Sequence, residues 1–267
     1  MKNHALSARR APRPAYASAD EIKTFEQNPP PGRSLLSRPA ILYHLEKGNI
    51  SITPFSAQNV GANSVDVTLG EHLFREAPHA VTGRRVLNPF DYHDVKEHWE
   101  PVQPISAREY MKKHGILKGI GKNDRFVIIE PGVMYLAHTH EFIGGRNRIS
   151  TNMHARSSVG RNGIAVCKCA DQGGVGFFNR WTMEITFHLN RPLILVIGMR
   201  IAQISFNLVD PVGDDNYAAT GGKYQSSNDR NEVIKSWTPL MMLPRLDRDR
   251  ETTSGFRSSN QPLLITG

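Results

Sequence analysis

The residues with the clearest chemical potential begin at position 156. The run Arg156-Ser157-Ser158 is followed closely by Arg161. Serines suit the start of a short helix, where free N–H groups and the positive end of the dipole attract phosphate. Four residues separate Ser157 from Arg161, so on a helical turn both side chains share one face. This spacing predicts a phosphate-binding helix start.

A single carboxylate, Glu184, lies in the otherwise uncharged run 181–187. Because side chains alternate between the faces of a strand, Glu184 shares a face with Thr182 and Thr186. A lone carboxylate among apolar residues is costly to bury unless it is paired, and we expect Arg161 to be its partner. Such a glutamate can act as a base and proton shuttle, although the pair alone could equally be structural.

The surrounding sequence predicts many short strands with Gly and Pro turns, which is typical of a mainly β domain of the jelly-roll kind. Two short helices are also expected, one over 37–48 with Ser37 as its cap and one over 106–115. In the second, Ser106 and Glu109 have the spacing of a capping box. The predicted strands lie near 50–54, 63–70, 126–132, 133–139 and 181–187.

We expect a domain over residues 34–239, preceded by an N-terminal extension over 1–33 and followed by a C-terminal tail over 240–267. The extension is basic and proline-rich, with a possible short helix over 20–25. Residues 75–122 are expected to form an insertion, and its polar run over 76–100 is expected to be a solvated loop. Its histidines lack the spacing of a metal site.

Composition narrows the class of partner. The 267 residues carry a net charge of +8, with basic residues dispersed along the chain, which favours a polyanionic small molecule over nucleic acid. No apolar run is long enough for a membrane span, so no membrane partner is expected. Cys167 and Cys169 are the only cysteines and are badly placed for a disulfide, which fits a cytoplasmic protein.

The order of these motifs resembles the dCTP deaminase family of the dUTPase-like superfamily. The resemblance rests on Arg-Ser-Ser-x-x-Arg-x-Gly from Arg156, then Ala170, a glycine turn, Met-Glu-Ile around Glu184 and Gly-x-x-Ile-x-x-x-x-Phe from Gly198. Ile-x-Ile-x-Pro, Ser-x-Asp-x-x-Leu-Gly and a Lys-Tyr-Gln triplet extend it. The resemblance implies a dUTPase-like distorted jelly-roll or β-barrel, a homotrimer with sites between subunits, and hydrolytic deamination of dCTP to dUTP and ammonia.

The resemblance also assigns catalytic roles. Glu184 would activate the water that attacks cytosine C4, and Ser157 with the carbonyl of Ala170 would hold that water. Arg161 would orient Glu184 and stabilise developing charge. The zinc deaminase pattern His-x-Glu with Pro-Cys-x-x-Cys is missing from this sequence, so no protein-bound metal and no zinc is expected.

Nucleotide-binding roles follow in the same way. Mg²⁺ would be bound through the triphosphate of dCTP or dUTP. Phe177 would pack on the deoxyribose and help exclude a 2′-hydroxyl. The Lys-Tyr-Gln segment would fold over the nucleotide as a mobile lid. The predicted nucleotide-binding residues are Arg156, Ser158, Phe177, Lys223, Tyr224 and Gln225.

Two departures from the family pattern leave alternatives open. Gly174 stands where family members usually carry an aspartate that touches the sugar 3′-hydroxyl and, in dUTPases and bifunctional enzymes, activates water for attack on phosphate. Asp171 stands where bacterial enzymes often have histidine. The alternatives are a dUTP diphosphatase, a bifunctional deaminase and diphosphatase, or a non-catalytic nucleotide-binding regulator. A preference for dCMP or a modified cytosine, and regulation by dTTP, also stay open.

Overall fold

The computed structural model describes residues 34–78, 86–168, 170–213, 216–217, 219, 222–225 and 227–249. The predicted N-terminal extension with its short helix, His79, Cys169 and residues 250–267 lie outside this description. Across the described residues the chain is mainly β with a few short helices, as the sequence predicted.

The described strands form three antiparallel sheets. The first has the order β1-β14-β9-β11, with β3 on β14, the second β10-β12-β8-β4-β5, with β2 on β8, and the third β13-β7-β6. The strand bounds are Ser34–Leu35 (β1), Ile50–Thr53 (β2), Val65–Thr68 (β3), Leu73–Glu76 (β4), Trp99–Val102 (β5), Ile105–Ser106 (β6), Arg125–Ile129 (β7), Tyr135–Gly145 (β8), Ile149–Ala155 (β9), Ile164–Ala165 (β10), Gln172–Gly173 (β11), Phe178–Phe187 (β12), Leu193–Val196 (β13) and Arg200–Leu208 (β14).

The pairing of β12 with β8 organises the second sheet. Burial alternates along β12 from Trp181 to Phe187, with Met183 and Ile185 in the core and Thr182 and Glu184 on the other face. This is the alternation that the sequence predicted. The register shifts between Arg180 and Thr182, where β8 contains extra residues.

The helices are short, and their caps differ in part from the prediction. Their bounds are Arg38–Glu46 (α1), Tyr92–His98 (α2), Ala107–His114 (α3), Ser157–Gly160 (α4) and Arg230–Ser236 (α5), with three 3-10 turns at Ala57–Asn59, Pro239–Met242 and Leu246–Asp249.

Ser37 and Ser106 occupy the N-cap positions of α1 and α3, but neither side chain makes a capping hydrogen bond, so the predicted capping box does not form. Arg156, and not a serine, is the N-cap of α4. Since Ser157 already begins the helical turn, its hydroxyl is not occupied in capping.

The structure differs from two expectations about the insertion and the C-terminal end of the domain. Residues 86–100 contain α2 and the start of β5, and within them Val95 and Trp99 are buried, so the described part of this polar run is not a solvated loop. The folded structure also continues past residue 239. Met242 and Leu243 pack in a second apolar cluster together with Val95 and Trp99. There they cover the outer face of the second sheet.

The main core lies between the sheets. It contains apolar side chains from α1 and most of the strands, including Ile41, Val67, Met183, Ile185 and Phe206. No helix among the described residues has the length and apolar character needed to cross a membrane.

Candidate active site

A cavity of about 230 Å³ lies over the polar face of β12. Two parts of the chain form it, namely the second sheet with its glycine turn and the C-terminal segment that folds over them. The lining residues are Ala170, Gln172, Phe177, Asn179, Arg180, Trp181, Thr182, Glu184, Tyr217, Tyr224, Trp237, Met241 and Met242. Four of the predicted site residues, Glu184, Ala170, Phe177 and Tyr224, are therefore brought together.

The Glu184 carboxyl is held in a largely water-excluded position. Burial raises the pKa of Glu184, and the backbone N–H groups of Glu184 and Lys168, together with the Lys168 charge, only partly offset this. The oxygen Oε2 is buried and has no hydrogen-bond partner among the described residues. An acceptor of this kind is costly unless a ligand or water satisfies it. A carboxylate whose pKa is raised above its ordinary value is also a stronger base than an exposed glutamate.

The predicted pairing of Glu184 with Arg161 is not formed within one chain. Arg161 is exposed and is not among the charges that act on the Glu184 carboxyl. The reason is geometric: Ser157, Ser158 and Arg161 lie on or next to α4, which follows the end of β9 in the first sheet. None of them lines the cavity over β12, which belongs to the second sheet. Ser157 and Ser158 are likewise exposed.

Arg156 is fixed by an acidic residue of β3, which pairs with β14, the strand that also pairs with β9. Its Nε lies 3.3 Å from Oδ1 of Asp66, which is buried in β3. Asp66 also accepts from Arg200 Nη1 and from Gln203 Nε2, each at 3.0 Å. This shared carboxylate holds two guanidinium groups near the start of α4. Asp66 is the aspartate of the Ser-x-Asp-x-x-Leu-Gly motif, and it holds Arg156, a predicted nucleotide-binding residue, in position.

The glycine turn before β12 shapes the side of the cavity around Phe177. Gly176 has φ +91, a conformation that favours glycine over residues with a side chain. The Phe177 ring packs edge-on against Trp181 and Tyr217, with ring centroids 5.3 and 5.0 Å apart. These contacts hold the Phe177 ring at the cavity wall, where the resemblance places the sugar.

The Lys-Tyr-Gln segment is docked on the domain. Gln225 is buried, its Oε1 accepts from the backbone N–H of Phe178 at 2.7 Å, and its Nε2 donates to the carbonyls of Gly176 and Ser227. Its amide therefore faces protein atoms and anchors the segment, and the expected role of Gln225 in nucleotide binding stays a prediction. Tyr224 lines the cavity, and Lys223 lines an adjacent one with Arg245 and Arg248.

Sequence reasoning missed several cavity residues. Arg180 shares the face of β12 with Glu184, so the same alternation that identified Glu184 could have identified it. Trp237 lies at the end of the predicted domain, and Met241 and Met242 lie in the predicted C-terminal tail. Nothing in the sequence of either part signals a cavity wall. Tyr217 belongs to a Gly- and Asp-rich loop and carries no motif of its own.

Cys167 and His138 have strongly shifted pKa values, and neither side chain lines the cavity. Burial raises the pKa of the Cys167 thiol to about 11, and its Sγ donates to the carbonyl of Met153. Burial lowers the pKa of His138 to about 3, so this ring is neutral. Within the described ranges, no three His, Cys, Asp or Glu side chains are grouped closely enough to hold a metal ion.

Comparison with known proteins identifies the family. The model of the family described as dCTP deaminase-like matches residues 35–209. A protein of Methanosphaerula palustris named "dCTP deaminase, dUMP-forming" is 26% identical over 185 residues, covering 69% of this chain and 87% of the relative. A protein of Nanoarchaeum equitans with the same name is 29% identical over 182 residues, covering 67% and 86%.

A third relative carries a different product designation. The Haloarcula marismortui protein named "dCTP deaminase" is 28% identical over 197 residues, covering 73% of this chain and 91% of its own length. All three matches extend over most of the relative. The family model spans residues 35–209, which include β11 and β12, the strands that line the cavity. This chain belongs to the dCTP deaminase-like family.

Proposed function

We propose that the protein hydrolytically deaminates dCTP, releasing ammonia, with Glu184 as the group that activates water. The observation that carries the proposal is the buried, unpartnered carboxyl oxygen of Glu184 inside a cavity that also contains Ala170 and Phe177. The names of the relatives support dCTP as the substrate.

The chemistry follows from the protonation of this carboxyl. Glu184 removes a proton from water held near the Ala170 carbonyl, and the resulting hydroxide attacks cytosine C4. The carboxylic acid returns this proton to N3 of the ring. Glu184 then takes the proton of the new C4 hydroxyl and delivers it to the exocyclic nitrogen, so that the C4 carbonyl forms, the C4–N bond breaks and ammonia leaves. Water and dCTP are consumed, and a uracil nucleotide and ammonia form. Burial raises the pKa of Glu184, which makes its carboxylate a stronger base toward water.

A second copy of the chain completes the site in this proposal. Ser157 and Arg161 are exposed and lie outside the cavity of their own chain, yet the family resemblance requires them beside Glu184. A homotrimer with sites between subunits reconciles the two. In it, α4 of one copy supplies Ser157 and Arg161 to the carboxyl of the next, while its Arg156 and Ser158 bind the triphosphate. Mg²⁺ enters as part of the substrate, bound by the phosphates.

Two different products are compatible with deamination. The names of two relatives favour dUMP with pyrophosphate, whereas Gly174 lacks the carboxylate that would activate water for attack on phosphate. We propose dUTP as the product because no acidic side chain lines the described cavity apart from Glu184. Formation of dUMP is the second candidate, and a non-catalytic regulator is the third.

Incubation of the purified protein with dCTP and Mg²⁺ tests these candidates. The proposal predicts that ammonia and dUTP appear in equal amounts. Pyrophosphate released together with ammonia would establish the bifunctional reaction instead. Hydrolysis of dUTP without ammonia from dCTP would identify a diphosphatase, and nucleotide binding without turnover would identify a regulator.

A further inference from the structure

The cavity contains a guanidinium group that lacks a polar partner in the described structure. Arg180 packs over the rings of Phe142 and Trp237, at 4.9 and 4.5 Å from their centroids. Its Nε is buried, and none of the described residues accepts a hydrogen bond from it. Leaving such a donor unsatisfied is costly, so a side chain in this position points to an acceptor that comes with the ligand.

The nearby carboxylates do not supply that acceptor. The charges of Glu71 and Glu141 act on Arg180 from a distance, but burial has the larger effect and lowers the pKa of Arg180. Glu71 is bonded to Arg125 at 3.0 Å, and Glu141 accepts from Thr68 at 2.9 Å. Since both are engaged elsewhere, the guanidinium remains available to the cavity.

The order of side chains along β12 matches the order of groups in a cytosine nucleoside. Phe177 precedes Arg180, and Arg180 precedes Glu184 by four residues on the same face. Four residues of strand span roughly 13 Å. A cytosine ring, with a hydrogen bond of about 2.9 Å at its amine and another at its carbonyl, spans roughly 10 Å. The hydrogen-bonded ring is shorter than this backbone separation by roughly 3 Å, which the long side chains of Arg180 and Glu184 can cover by leaning toward each other.

We propose that Arg180 binds and orients the pyrimidine by donating to its O2 carbonyl oxygen. This inference rests on the proposed function. In a cytosine nucleotide the sugar is on N1, O2 is on the adjacent carbon, and the amine lies across the ring from N1. With the sugar at Phe177, O2 falls at Arg180 and the amine at Glu184. Because uracil also carries O2, Arg180 does not distinguish substrate from product; it orients the ring so that C4 meets the water.

Trp237 has a positioning role in this arrangement. It lies beyond residues 35–209, which match the family model, yet its ring packs on Arg180 and lies 4.8 Å from the His138 ring. These contacts hold the guanidinium at the cavity wall and keep water from its inner edge. The C-terminal segment of this chain thus contributes to recognition of the base.

Binding of dCTP and 2-thio-dCTP, in which a weakly accepting sulfur replaces O2, tests the inference. Titration calorimetry would use Glu184→Gln protein, which prevents turnover during the measurement. We expect this protein to bind 2-thio-dCTP at least about tenfold more weakly than dCTP, since a charge-assisted hydrogen bond is lost. Adding Arg180→Met to the Glu184→Gln protein should weaken the binding of dCTP and bring both ligands to similar affinities. Arg180→Lys should restore part of the preference.

The outcomes separate the two proposals. If Arg180 had only a structural role, replacing it would weaken the binding of both ligands by the same factor and leave the preference for dCTP intact. That result would overturn the inference. Failure of Glu184→Gln protein to bind dCTP at all would instead count against the proposed function. Arg191→Met, which removes an exposed arginine, is the matched control and should leave both affinities unchanged.

Discussion

The side-chain oxygen of Gln225 accepts the backbone N–H of Phe178 at 2.7 Å, directly where β12 begins. The same amide donates to the carbonyls of Gly176 and Ser227 at 2.9 and 3.0 Å. One buried side chain thus joins the C-terminal segment, the glycine turn and β12. The segment that carries Tyr224 and Trp237 is therefore held over the cavity by contacts to the element that carries Glu184.

Replacing this anchor should loosen the cover of the cavity. In Gln225→Ala the Phe178 N–H and two carbonyls lose their partners, which should cost about 1–3 kcal/mol of stability. We also expect a higher KM for dCTP with a smaller change in kcat, because the cover and not the chemistry is affected. Thermal unfolding and steady-state kinetics measure the two effects. Gln58→Ala, at an exposed position, should change neither.

The carboxyl of Glu184 should be required for chemistry but not for binding. Glu184→Gln keeps the shape of the side chain and removes the base, so ammonia release should fall by at least about 100-fold. The affinity for dCTP should stay within a few-fold of wild type, as measured by calorimetry. Glu130→Gln removes an exposed carboxylate and serves as the control. Retained turnover in Glu184→Gln would refute the assigned role.

The same carboxyl should make stability depend on pH. Burial raises the pKa of Glu184 in the folded state, so folding favours its protonated form. Its contribution to stability is full below the unfolded pKa of about 4.3 and is lost as pH rises through the higher folded value. Glu184→Gln should therefore melt at a higher temperature than wild type at pH 8. The difference should shrink as pH falls toward 5, which melting curves across pH would show.

Gly174 offers a test of the product. A Cβ built at this position meets only Tyr217 Cδ2, at 3.9 Å, so Gly174→Asp fits without strain. We expect wild type to release ammonia without pyrophosphate, and Gly174→Asp to gain pyrophosphate release, because a carboxylate returns to the position that activates water in bifunctional relatives of the family. A coupled pyrophosphatase assay reads this directly. Asn123→Asp adds the same charge at an exposed site as a control. Stoichiometric pyrophosphate from wild type would contradict the proposed product.

The mainly β fold and the strand that carries Glu184 were predictable because the alternation of apolar and polar residues along a strand is a local pattern. From Trp181 to Phe187 the pattern follows from neighbouring residues alone, and the structure reproduces it. The cavity walls could not be predicted in this way. Trp237, Met241 and Met242 reach Glu184 only through the path of a long C-terminal segment, and that path depends on Gln225 and the apolar cluster around Trp99.

The separation of Arg161 from Glu184 within one chain was missed for a related reason. Spacing placed Ser157 and Arg161 on one face of α4 and identified Glu184 as the carboxylate that needed a partner. It did not show that α4 and β12 belong to different sheets of the same chain. Residues that act together need not meet within one subunit, and sequence order carries no information about which copy of the chain supplies them.

If a neighbouring copy supplies α4, two inactive variants should restore one another. Glu184→Gln lacks the base and Ser157→Ala lacks the hydroxyl, so each alone should be inactive. In oligomers formed by unfolding and refolding an equal mixture, about a quarter of the sites would combine a wild-type Glu184 with a wild-type Ser157 from the neighbour. Ammonia release should then return to roughly that fraction of the wild-type rate. Samples of each variant refolded separately and then combined control for recovery without subunit exchange. If both residues came from one chain, every site in the mixture would carry one of the two defects, and no activity would return.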